Sequence, residues 1–107
     1  MLCATGLHNL ALFSINTDGA IGRTQNRYNV NNLYINKIKL TKMGIFVGVE
    51  KEIRVLNYMC KPFLTIKAQE ANTLIREWAI YEKTAGCQVY FVCPNGNIFF
   101  TDVLPSD

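Results

Sequence analysis

The sequence from residue 87 to residue 103 reads CQVYFVCPNGNIFFTDV, and this stretch decides the prediction of the fold. Its centre, Pro94-Asn95-Gly96, predicts a type I turn followed by a G1 bulge, because proline suits the first turn position and glycine accepts a left-handed backbone. The arms on either side, Cys87–Cys93 and Asn97–Val103, then form a β-hairpin. A two-residue turn is the alternative, but it would place Pro94, which has no N–H, in the closing hydrogen-bonded pair.

Both faces of this hairpin are apolar when Phe91 is paired with Phe99. One face then carries Val89, Phe91, Cys93 and Phe99, and the other carries Tyr90, Val92, Ile98 and Phe100. One covering helix shields only one face of a sheet, so the second face needs another cover. The commonest closed solution is a homodimer, which makes Tyr90, Val92, Ile98 and Phe100 the predicted interface. A curled sheet or barrel is the alternative.

The helix expected to cover the hairpin runs from about residue 67 to residue 84. Apolar residues recur there at the i, i+3, i+4, i+7 and i+8 spacing of a single helical stripe, namely Ala71, Leu74, Ile75, Trp78 and Ala79. Gly86 suits the left-handed residue that ends many helices. The sequence thus predicts one long helix packed on the sheet.

Upstream of the helix the patterns indicate strands. Residues 7–15 and 20–28 flank the turn sequence Asn16-Thr17-Asp18-Gly19, and residues 33–41 alternate apolar and basic side chains as a half-exposed strand does. The continuous apolar run over residues 43–49 is typical of a central strand covered on both faces. Together these elements predict an α+β domain with a mainly antiparallel sheet of five to seven strands, one helix over about 67–84 and a C-terminal β-hairpin.

The chain length of 107 residues predicts a single domain, 1–107. Its charge is uneven, because residues 1–42 carry five basic side chains and one acidic one, whereas residues 43–107 carry six basic and seven acidic ones. This shift, together with Met43 at the start of the apolar run, also allows residues 1–42 to form a separable N-terminal β extension. Limited proteolysis distinguishes the two arrangements.

The cysteines and the hydropathy bear on the compartment. No apolar run approaches the ~20 residues that span a bilayer, so no membrane partner is predicted. None of the four cysteines forms a CxxC pair, and the first ten residues lack the basic side chains of a secretion signal. We therefore expect reduced thiols and a cytoplasmic protein.

The sequence holds few groups suited to catalysis. His8 is the only histidine, no GxSxG or phosphate-binding motif occurs, and the cysteine spacing fits no metal site. No catalytic residue, metal or cofactor is predicted. The pattern favours a non-enzymatic binding or regulatory module that acts as a homodimer.

Two alternatives remain open at the level of the sequence. The first is a nucleic-acid-binding protein, or one with an acidic partner, that uses the basic segment 23–39, because basic side chains contact phosphates and aromatic rings stack on bases. Its candidate residues are Arg23, Arg27, Tyr34, Lys37 and Lys39. The second is a ligand-binding cone or small enzyme with an apolar cavity between helix and sheet, whose candidate walls are Trp78, Tyr81 and Phe91.

Overall fold

All the regular elements of the described chain are β-strands. The computed structural model describes residues 2–6, 8–67, 75, 77–94 and 96–104, without the side chains of residues 2–5 and 23–25. Its ten strands are β1 (Leu2–Thr5), β2 (Asn9–Ile15), β3 (Ile21–Asn29), β4 (Ile35–Leu40), β5 (Ile45–Val49), β6 (Glu52–Leu56), β7 (Pro62–Lys67), β8 (Glu77–Glu82), β9 (Cys87–Val92) and β10 (Ile98–Val103). The predictions of an α+β domain, of a helix over 67–84 and of a single sheet of five to seven strands are therefore wrong.

The strands form three antiparallel sheets, each built from consecutive strands. We call them the N-terminal sheet (β1-β2-β3), the middle sheet (β4-β5-β6-β7) and the C-terminal sheet (β8-β9-β10). Consecutive antiparallel strands need only short connections, which explains why turn sequences recur along the chain. No helix in these described ranges is long and apolar enough to cross a membrane.

The predicted helix is not found at residues 77–82, where the side chains of β8 alternate between the two faces of a strand. Trp78 and Ile80 point into the molecule, whereas Ala79 and Tyr81 are on the exposed side of the strand. The helical stripe had placed Trp78 and Ala79 on one face. Its first members, Ala71 and Leu74, lie outside the described residues. Aromatic and β-branched side chains favour the extended backbone here.

The middle sheet is covered on both faces, as β5 shows most clearly. All five of its residues are buried. Phe46 packs on one side of the sheet, and Ile45, Val47 and Val49 pack on the other. The prediction that residues 43–49 contain a central strand with two covered faces is confirmed.

Two apolar cores separate the three layers. Between the N-terminal and middle sheets lie Leu10, Leu12, Val30, Ile45, Val47, Val49, Leu56 and Cys60. Between the middle and C-terminal sheets lie Phe46, Ile53, Val55, Ile75, Trp78, Cys87, Val89, Phe91, Cys93 and Val103. The inner face of the C-terminal hairpin is therefore covered by a second sheet instead of a helix.

The C-terminal hairpin has the predicted turn and register. Cys93 donates its N–H to the carbonyl of Asn97 at 3.0 Å, and Gly96 donates to the carbonyl of Cys93 at 2.9 Å. Gly96 has a φ of 89°, and Phe91 is opposite Phe99. The hydrogen bonds and the register predicted for the bulged turn are confirmed, and Asn95, whose backbone defines the turn type, lies outside the described residues. The turns at 16–20 and 57–61 repeat the same pair of hydrogen bonds.

The boundary expected near residue 43 falls inside the middle sheet. β4 is hydrogen-bonded to β5 over its length, and its side chains Ile38 and Leu40 pack against the core shared with the N-terminal sheet. The segment that a cut near residue 43 would remove thus contains one strand of the middle sheet. The single-domain organisation of residues 1–107 stays a prediction.

Candidate functional site

The exposed outer face of the C-terminal sheet is the candidate site, and it is built from three rows of side chains. The strand registers place Ala79, Tyr90 and Phe100 in a central row across β8, β9 and β10. One flanking row contains Glu77, Val92 and Ile98, and the other contains Tyr81, Gln88 and Asp102. The four residues of the predicted interface therefore share one face of one sheet.

This outer face exposes large apolar side chains. Ile98 is 70% exposed, Phe100 61%, Tyr81 61% and Tyr90 40%. The rings of Tyr90 and Phe100 stack with their centroids 5.7 Å apart. Since large aromatic side chains present ~150–250 Å² each, these residues expose an apolar patch on the order of 500 Å², a size that often marks a contact surface.

Polar side chains lie around the apolar patch on this face. Glu77 accepts a hydrogen bond from Lys37 at 2.9 Å, and Asp102 accepts one from Lys83 at 3.0 Å. The Lys83 hydrogen bond holds the pKa of Asp102 below its usual value, so this carboxylate is charged at neutral pH. Tyr90 donates its hydroxyl proton to Gln88 at 2.9 Å. An apolar centre with a polar rim is the general anatomy of a protein–protein interface.

The three residues expected to wall a ligand cavity are not brought together. Trp78 and Phe91 are neighbours across β8 and β9 and are both buried in the core under the sheet. Tyr81 lies on the opposite, exposed face of β8. With β-strand over 77–82, the helix that was to form the other wall is absent from the described residues.

The basic candidates also point in different directions. Arg27 lies on the exposed side of β3, since its neighbour Tyr28 packs inward. Lys37 instead reaches the C-terminal sheet, where it donates to Glu77 and to the carbonyl of Trp78. Lys39 lines a shallow cleft on that same side. The structure thus separates Arg27 from the two lysines by two sheet layers.

The remaining two basic-segment candidates are Arg23 and Tyr34. The side chain of Arg23 lies outside the described residues. Tyr34 is half exposed and packs against the ring of His8, with centroids 5.0 Å apart. His8 Nδ1 is 2.6 Å from the carbonyl of Leu33, an arrangement that fixes the loop before β4.

A groove of about 320 Å³ lies between β7 and β10, at the open edge of the two sheets. Its apolar walls include Leu64, Ile66, Phe91 and Phe99. The opposite edge is closed by the ion pair between Lys37 and Glu77. Its lining also includes the polar residues Thr65, Lys67, Thr101 and Asp102.

The three cysteine thiols that the structure describes are buried. Cys60, Cys87 and Cys93 are unpaired and buried. Burial raises the pKa values of Cys60 and Cys87, so these thiols stay protonated and are weak nucleophiles at neutral pH. The described residues contain no group of three or more acidic, histidine or cysteine side chains arranged to hold a metal ion.

Besides the polar Glu77, Gln88 and Asp102, sequence reasoning missed two members of the outer face, Ala79 and Tyr81. Both had been assigned to the helix, one as part of its apolar stripe and the other as a cavity wall. The alternation of Trp78 and Ile80 with these two residues was the signal of a strand. None of the family models, curated proteins and solved structures compared with the chain matches it.

Proposed function

We propose that this protein is a non-enzymatic binding module that forms a homodimer through the outer face of its C-terminal sheet. The observation that carries the proposal is the central row of that face, where Ala79, Tyr90 and Phe100 lie side by side across three strands while the opposite face of the sheet packs in the core. The inner face of the C-terminal sheet is already covered by the middle sheet of the same chain. The described residues leave the outer side exposed, and a partner would supply a cover there.

The size of the patch supports a second copy as that partner. A stable interface buries about 800 Å² per subunit. The apolar patch, on the order of 500 Å², together with its polar rim, approaches this area. An isologous contact uses the same surface twice, so one patch is sufficient. The buried, unpaired thiols of Cys60, Cys87 and Cys93 support the cytoplasm as the proposed compartment.

Sedimentation equilibrium at micromolar concentration tests the proposal with two matched variants. Ile98→Lys places a charge on the patch, whereas Ile21→Lys makes the same change at a residue that is 64% exposed on β3. We expect dimers for the wild type and for Ile21→Lys. Ile98→Lys should weaken dimerisation at least about 100-fold, because two copies of the charge enter the contact.

The circular dichroism of both variants should match that of the wild type, since both side chains are exposed. A wild-type protein that remains monomeric at these concentrations contradicts the proposal. Equal weakening by the two lysine substitutions also contradicts it, because it would show that the effect does not depend on the C-terminal sheet.

A further inference from the structure

The outer face is asymmetric across its strands in a way that bears on how two copies fit together. In the central row, the small side chain of Ala79 lies on β8 and the large ring of Phe100 lies on β10. In one flanking row, the hydroxyl-bearing Tyr81 lies on β8 and the carboxylate of Asp102 lies on β10. Each of these rows carries complementary groups at its two ends.

Packed sheets commonly align their strands to within about 30°, and this leaves two choices for a two-fold axis in the interface. If the axis runs along β9, β8 of each copy lies over β10 of the other. Each row then lies over the same row of the second copy, with its β8 end facing the β10 end. If the axis runs across the strands, β8 lies over β8 and the two flanking rows exchange places. Tyr90, at the centre of the face, meets Tyr90 of the second copy in both cases.

The axis along β9 produces complementary contacts. The ring of Phe100 then lies over Ala79 of the second copy, where the small side chain leaves room for it. The hydroxyl of Tyr81 faces the carboxylate of Asp102 of the second copy and can donate to it. Hydrogen bonds to charged groups are among the stronger ones, and this one forms twice in a symmetric pair. The carboxylate of Glu77 is already turned toward Lys37, which leaves its methylene groups to meet Ile98.

The axis across the strands produces mismatched contacts. Phe100 then meets Phe100, and Ala79 meets Ala79, so one end of the row is crowded while the other leaves a gap. Packing faults of both kinds destabilise an interface. The flanking rows do not distinguish the two axes. Tyr81 then faces the carboxylate of Glu77 of the second copy and can donate to it, and Ile98 faces Asp102, which is held by Lys83 as Glu77 is by Lys37. The packing of the central row therefore decides between the two axes.

From this comparison we infer that the dimer has its two-fold axis along β9 at Tyr90, with β8 of each subunit over β10 of the other. The inference rests on the proposed function. It identifies the partner as an identical chain in one defined orientation, and it assigns Tyr81 and Asp102 to a hydrogen bond between subunits.

Thiol cross-linking with a short bifunctional reagent tests this orientation. Ala79→Cys on a tagged chain is mixed with Phe100→Cys on an untagged chain, and the product is identified by its mass. We expect the mixture to give the tagged–untagged product, whereas each variant alone gives no more product than the wild type. Tyr90→Cys alone should cross-link to itself. The wild-type chain measures the background from the native cysteines.

Each other outcome has a definite meaning. Products from each variant alone, with none specific to the mixture, overturn the orientation but preserve the dimer. A dimer in sedimentation that Tyr90→Cys cannot cross-link shows that another surface is used, which overturns both ideas. A wild-type monomer in sedimentation overturns the proposed function itself.

A double-mutant cycle keeps the test decisive if Phe100→Cys prevents association. Tyr81→Phe and Asp102→Asn should each raise the dimer dissociation constant about tenfold. Their combination should raise it no further than either one, because both remove the same hydrogen bond. Independent, multiplying effects overturn the orientation.

Discussion

Replacing Gly48 with alanine should destabilise the protein through one buried side chain, Trp78. Gly48 lies on β5, on the side that faces the C-terminal sheet. A Cβ at this position would lie 2.5 Å from Nε1 of Trp78 and 3.1 Å from its Cε2, and closer still to Oδ1 of Asn36. Contacts this short force one of the neighbours to move.

The two neighbours differ in how easily they can move. Asn36 is exposed, and its side chain can rotate into solvent. Trp78 is only 2% exposed and packs within the core, so its indole can yield only by displacing other side chains. Overpacking of a well-filled core typically costs about 1–3 kcal/mol. We therefore expect Gly48→Ala to lower the free energy of unfolding by about 2 kcal/mol.

Urea unfolding followed by tryptophan fluorescence measures this effect, because Trp78 is the only tryptophan in the chain. With a slope of about 1–3 kcal/mol per molar urea, the midpoint should fall by about 1 M. Gly6→Ala is the matched control, since a Cβ there meets no atom within 4 Å. A Gly48→Ala midpoint equal to that of the control would refute the reasoning. Full recovery on adding Asn36→Ala would also refute it, by assigning the clash to the wrong neighbour.

Three further predictions concern the turn at Gly96, the hydrogen bond from Lys37 to Glu77 and the thiol of Cys87. Gly96→Ala should lower the free energy of unfolding by about 1 kcal/mol in the same urea assay, because Gly96 has a φ of 89° and an L-residue is strained there. The hydrogen bond from Lys37, with a smaller effect from the backbone N–H of Trp78, lowers the pKa of Glu77. The ionised Glu77 therefore stabilises the folded protein at pH values above its unfolded-state pKa of about 4.3. This contribution is lost as the pH falls through the lower pKa that Glu77 has in the folded protein. Urea titrations from pH 6 to pH 2 should therefore show a smaller acid-dependent loss for Lys37→Met than for the wild type. Cys87, whose pKa is raised by burial, should react with an aromatic disulfide reagent at neutral pH only as fast as the protein opens, and immediate reaction in native buffer contradicts its burial.

The sequence predicted the local structure where residue type restricts the backbone. Pro94 and Gly96 determine the turn between β9 and β10, and that turn determines which residues of the hairpin share a face. The run from Ile45 to Val49 was recognisable as a doubly covered strand because no polar side chain interrupts it. Both predictions rested on short-range chemistry and on the strict alternation of a strand.

The sequence patterns did not predict that a sheet, and not a helix, covers the inner face of the C-terminal hairpin. Over residues 71–79 the apolar residues match the spacing of a helix. Trp78 and Ile80, which are two residues apart, match the spacing of a strand. Which pattern wins depends on whether the middle sheet is present to receive the two side chains, and that is a tertiary effect. The hairpin's need for a cover was correctly deduced, but the same need is met equally well by a sheet. The candidate site consequently lacked Ala79, which was expected on a buried face.

The middle sheet makes the outer two layers depend on each other. Removing either layer would expose one whole apolar side of β5 to water, because Phe46 and Val47 face opposite cores. Local hairpins of consecutive strands form quickly, yet each of the three sheets alone would leave at least one apolar face in water. A truncation that removes β1–β3 should thus yield an aggregating fragment and not a smaller folded protein, and the three sheets should melt in one cooperative event.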